Sequence, residues 1–172
     1  MAKRNGTTPG KKGPTVEHMV GKFPRYANPK IWQLFDYWKS IHPKKGLPGR
    51  QHFEPLDIPI LLPNIFLADV IGSNEFKFRI IGTRLDEFFC GNFTGERVIS
   101  AFKKGYDSQT YLDMCEIVQD GQLRWRKGLA TFVENREHVT TERIFLPLAF
   151  DGATVDMILG FLLAKIGDSN FC

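Results

Sequence analysis

Phe76-Lys77-Phe78-Arg79-Ile80-Ile81-Gly82-Thr83 is the stretch that decides the fold class of this 172-residue chain. Phe76, Phe78 and Ile80 alternate with Lys77 and Arg79. Period-two alternation is the signature of a half-buried strand in an antiparallel sheet, whereas parallel strands between helices read as continuous apolar runs. The run stops at Gly82, and an acidic, aromatic helix start follows it.

Working outward, Ile65 to Ile71 is a second strand-like run, joined to the first by Gly72-Ser73-Asn74, which has the residues of a tight hairpin. Beyond Gly82, two short helical pieces are predicted, Arg84 to Cys90 and Gly95 to Lys103. A longer helix over Ser108 to Asp120 sets Tyr111, Met114, Cys115 and Val118 on one face before Gly121 ends it. Three further strands are predicted over Leu123 to Val133, His138 to Phe150 and Thr154 to Ile166, the last two joined by the turn dipeptide Asp151-Gly152. Helices grouped between a two-strand and a three-strand run argue for an α+β domain, with five antiparallel strands and short helices on one face.

Ahead of this core, assigned to residues 64–168, the chain divides into three parts. Residues 28–42 form an amphipathic helix: Asn28 is a good cap, Pro29 a good first residue, and Ile31, Leu34, Phe35 and Trp38 recur at i, i+3, i+4 and i+7. Trp32, Tyr37 and Ile41 widen that stripe beyond what packing on one domain requires, so a partner surface is expected at Trp32, Phe35 and Trp38. Residues 43–63 hold five of the ten prolines, which forbids long regular structure and predicts a connector. Residues 1–27 are rich in Gly, Pro, Lys and Thr and are expected to be a disordered basic tail. The formal charge of +4 comes from that end, since residues 1–30 carry seven Lys or Arg against Glu17 and the remainder carries −2. Nucleic-acid binding by the core is therefore not expected, and only the basic tail offers such a surface.

The order of elements resembles the PAS domain, a sensory and interaction module, and the motifs are similar to those of a bacterial single-domain PAS family. The resemblance covers about residues 30 to 166 and rests on Tyr37-Trp38, Leu47-Pro48-x-Arg50, Asp57-Ile58-Pro59, Leu62-Pro63, Phe78 to Thr83, Gly91, Thr94-Gly95, Leu146-Pro147-Leu148, Asp151-Gly152 and Val155-Asp156-x-Ile158-Leu159-Gly160. It implies a sheet curved around helices, an internal cavity that holds a small ligand or is filled by side chains, and dimerisation through flanking helices. A cavity of that kind would be lined by Phe78, Ile80, Tyr111, Cys115, Met157 and Leu159, and simple core packing is the competing reading of the same residues. The cofactor is left unknown, with flavin and haem disfavoured. The reactive-cysteine motif of flavin-binding relatives is missing, Val98 standing where that cysteine is expected, and the helix before the third strand holds no histidine.

The four histidines form no i, i+4 pair and do not cluster with cysteine, so no metal site is expected. Arg79 inside its strand either anchors an acidic partner or forms an ion pair across the sheet. No phosphate loop, nucleophile elbow or zinc-protease motif is present, and no catalytic residue is assigned. Three cysteines, no secretory start and no apolar run of membrane-spanning length point to a cytoplasmic protein that does not enter the membrane. The expected function is a sensory module without its own output domain, binding a small ligand, a signalling partner or a second copy through the N-terminal helix. The alternatives are a small-molecule enzyme with an apolar cavity and nucleic-acid binding through the tail.

Overall fold

Among the described residues six antiparallel strands form one sheet in the order β1-β4-β5-β6-β2-β3, one more than the sequence predicts. The structure is a computed structural model that describes residues 16–136 and 138–165; residues 1–15, most of the expected basic tail, lie outside it, as do Cys172 and the last three residues assigned to the core. The strands are β1 (Glu17–Val20), β2 (Ile65–Gly72), β3 (Glu75–Ile81), β4 (Arg124–Leu129), β5 (Thr140–Leu148) and β6 (Met157–Lys165). The helices are α1 (Pro29–Ser40), α2 (Thr83–Phe89) and α3 (Gln109–Asp120), with short 3₁₀ turns between them.

The expected disorder of residues 1–27 is corrected from residue 17 onward. Glu17 to Val20 pair with Lys127 to Arg124, and Phe23 and Ala27 are buried. Four residues are too few to show a period, but their backbone covers the hydrogen-bonding edge of β4 that would otherwise stand open.

Two cores lie on the two faces of the sheet. On one face α2, α3 and the turns around Val98–Ala101 bury Phe66, Phe78, Phe89, Met114 and Phe145. On the other, α1 and the connector bury Ile31, Leu34, Leu61, Trp125 and Phe161. β5 and β6 are thus covered on both sides, while β3 at the edge keeps the alternation read from its sequence only from Phe76 to Arg79. α1 begins as predicted, with the Asn28 side chain accepting from the Lys30 amide at 2.9 Å, and Trp38 pins it to the sheet by donating from Nε1 to the Pro147 carbonyl at 3.0 Å.

Gly82 ends β3 for a steric reason. A Cβ there would lie 2.2 Å from the Leu62 carbonyl oxygen and 2.4 Å from that of Pro63, so the connector crosses the strand end only over a bare backbone. Gly160 plays a similar part in the helix-side core, where a Cβ would lie 2.1 Å from the ring of Phe66, its cross-strand neighbour.

Candidate functional site

The six residues expected to line one cavity are divided between the two faces. Phe78, Tyr111 and Cys115 meet in the helix-side core among packed aromatic rings. Phe78 packs edge-on to Phe66 at 5.4 Å, and Tyr111 edge-on to Phe76 at 5.9 Å. The Tyr111 hydroxyl donates to the Asn74 carbonyl at 2.7 Å, tying α3 to the β2–β3 hairpin. Burial pushes that phenol up to about 12, so it stays a proton donor, and burial likewise raises the Cys115 thiol, which is an inert packing group.

Met157 and Leu159 point to the opposite face, into the core beneath α1 and the connector. β6 is apolar from Met157 to Ala164, so no alternation in its sequence shows which set faces the helices. Ile80 is the clearer correction, being 43% exposed. A break in register between Leu67 and Ala68 of β2 leaves Leu67 opposite Ile80 and Ala68 opposite Phe78, with Arg79 as the extra residue. The bulge turns Ile80 away from the face that Phe76 and Phe78 share.

Ile80 lands in a groove. An apolar pocket of about 360 Å³ lies between the connector and the outer face of β2–β3, walled by Phe53, Pro59, Leu62, Ile65, Leu67 and Ile80. A second, more polar pocket of about 510 Å³ shares these strands and includes Arg50, Ile71, Arg79, Phe150 and Met157. Between them Arg79 grips Asp69, with Nε at 2.9 and 3.0 Å from its two oxygens. This half-exposed ion pair is the cross-strand alternative read from the sequence. Asp156 accepts from the Phe150 amide at 3.0 Å and holds the neighbouring turn.

The expected partner surface on α1 is mostly used within the chain. Trp38 is buried, and Phe23 from the segment after β1 covers Trp32 and Phe35, with ring centroids at 4.3 and 4.9 Å. The excess apolar width of α1 is therefore partly explained by a residue that the sequence reading placed in a disordered tail.

A cluster that sequence reasoning missed lies between α3, β4 and β5. Arg126 and Arg143 stand directly opposite each other in the β4–β5 register. Asp113 of α3 lies over them, its carboxylate 1% exposed. Arg126 donates from Nε to Oδ2 at 2.9 Å and from Nη2 to Oδ1 at 2.7 Å, while Arg143 Nη2 stands 3.5 Å from Oδ2. Arg124 nearby is matched by Glu116 and Asp120, whose carboxylates reach solvent. The legible signal was two arginines inside strands, but their opposition exists only once the register is known.

Among the described residues no group of three or more His, Cys, Asp or Glu side chains converges as a metal site. Nor is any described helix long and apolar enough to cross a membrane.

Comparison with known proteins bears on this geometry. A family model described as a PAS domain matches residues 27–163. No curated protein matches the chain. Among solved structures, one described as an RNA-binding light-oxygen-voltage receptor superposes with a TM-score of 0.48 at 10% identity, covering 88% of this chain and 39% of its own length.

Proposed function

The chain belongs to the PAS domain family, whose members are in general sensory modules, and from that premise we propose that it signals by protein–protein contact at the outer face of β2–β3 rather than by catalysis. The occupant we assign is a second copy of the same chain.

The observation that carries this reading is the gathering of exposed apolar side chains around the two grooves. Ile71, Ile80 and Phe150 line them while remaining 46%, 43% and 73% exposed, and the neighbouring turns of the connector add Leu56 and Ile60 at 79% and 69%. Scattered single apolar residues need no explanation, but a contiguous group beside a groove marks an interaction surface. Around Phe78 and Tyr111 the helix-side core packs ring against ring, which supports contact over capture of a large ligand at that point. A twofold dimer buries the same patch on both partners, so one patch suffices.

Sedimentation velocity across a concentration series tests this directly. The wild type is expected to pass from monomer to dimer, and Ile80→Asp, at a half-exposed position, is expected to weaken that association at least tenfold without unfolding the chain. A protein that stays monomeric through hundreds of micromolar, or a dimer indifferent to Ile80→Asp and Leu56→Asp, overturns the assignment.

A further inference from the structure

The buried charge at the other end of the sheet, on the helix side, does not balance. Arg126 and Arg143 face each other across β4 and β5, where like charges directly opposite are unfavourable. Asp113 is the carboxylate between them, and Arg126 occupies both of its oxygens while Gln109 Nε2 donates to Oδ1 at 3.1 Å. His18 Nε2 lies 3.9 Å from the same oxygen. Arg143 is left with a long approach of 3.5 Å to Oδ2, although its side chain is only 4% exposed. Its Nε has no hydrogen-bond partner among the described residues. The rings of Phe132 and Phe145, at 4.7 and 5.8 Å from the guanidinium carbon, cushion the charge without giving it an acceptor.

A buried guanidinium normally carries both a counter-charge and acceptors for its N–H groups. Burial lowers Arg143 from 12.5 to about 10, which still leaves it charged at neutral pH. A pocket of about 220 Å³ opens beside it, walled by Arg143, Arg126, Gln109, Leu129, Thr131 and Phe132. That volume is below the roughly 300–1,000 Å³ of sites for drug-sized molecules. Its wall combines two cationic forks with apolar surface from Leu129 and Phe132.

We infer that this pocket binds a small organic carboxylate, whose two oxygens meet Arg143 and Arg126 on the side away from Asp113 and whose short apolar stem lies against Leu129 and Phe132. One monoanion cancels the one unmatched buried charge. The planar guanidinium fork suits a carboxylate, and the apolar wall selects an alkyl stem over a bare inorganic ion. The site does not rest on the proposed dimer, since the grooves around Ile80 belong to the opposite face and the far edge of the sheet.

Titration of the full chain with sodium butyrate, against sodium chloride at matched ionic strength, tests the site by calorimetry and thermal unfolding. The expected result is saturable one-to-one binding of butyrate and a Tm raised by about 5 °C at a hundredfold excess over Kd. Arg143→Met, which keeps the volume and removes the charge, is expected to abolish the butyrate heat. Thr131→Glu places a tethered carboxylate at an exposed position of the pocket wall; it is expected to raise Tm without ligand and to weaken butyrate at least tenfold. This second variant decides the matter should Arg143→Met fail to fold. A butyrate response no larger than that of chloride, or butyrate binding unchanged in both variants, overturns the inference. Sedimentation of the same variants reads the dimer separately, so the two assignments fail independently.

Discussion

The two ends of the sheet treat strand-borne arginine in opposite ways. At the β2–β3 end Arg79 has its own carboxylate, Asp69, whose two oxygens share the one Nε–H donor where water reaches them. At the β4–β5 end Arg126 and Arg143 share Asp113 out of water's reach. A one-to-one pair at the surface contributes little to stability and leaves no demand on its surroundings. A two-to-one cluster in the interior makes the single carboxylate indispensable and leaves a charge that something must answer. The residue types are the same, so burial and stoichiometry set their meaning.

The contrast breaks most sharply at the carboxylates. Asp113→Asn strips the buried pair of its counter-charge and is expected to destabilise the fold by about 3–5 kcal/mol in urea unfolding. At the β2–β3 end the comparable sensitivity lies in the backbone. Gly82→Ala forces a Cβ against the Leu62 and Pro63 carbonyls and is expected to cost about 1–3 kcal/mol, measured the same way.

A smaller effect is read by pH. His18, which faces Asp113, Arg126, Arg124 and Glu116, is lowered from 6.5 first by burial and then by Arg126. His42, edge-on to Trp38 at 4.3 Å, is lowered from 6.5 by burial. A histidine whose folded pKa lies below its unfolded value resists protonation only in the folded state. Its contribution is intact above about pH 6.5 and is lost as the pH falls below that. Unfolding midpoints are therefore expected to fall between pH 7.5 and 5.5, and His18→Gln should reduce the part of that slope arising at the β4 end. The smallest change is expected from Asp69→Asn, within about 1 kcal/mol of wild type. A loss as large as that of Asp113→Asn would erase the distinction between the two ends.

Legibility followed the range of the interactions. The start of α1, the β2–β3 hairpin and α3 were readable because caps, turn residues and periodicity act within a few positions. The bulge at Arg79 was not, since the Phe76–Ile80 alternation continues through it and only the register with β2 reveals the extra residue. The facing of Met157 and Leu159 was hidden for a different reason: β6 is buried on both sides and apolar at every position from Met157 to Ala164. Asp113, Arg126 and Arg143 come from three elements whose meeting is a property of the tertiary fold. The strand Glu17–Val20 was masked by its setting among Gly, Pro and Lys.

The Tyr37 hydroxyl has a mechanical consequence. It accepts from the Glu54 amide at 2.7 Å and donates to the Glu54 carbonyl at 3.1 Å, so both backbone groups of one connector residue hang from a single side chain of α1. Phe53 and Pro55, on either side of Glu54, are wall residues of the outer groove, and Phe53 packs edge-on to the Tyr37 ring at 5.8 Å. The groove wall and the N-terminal helix are thereby hinged on one phenol. A load applied to the wall has a short lever arm to α1, and Tyr37→Phe would slacken that joint while leaving both attached parts in place.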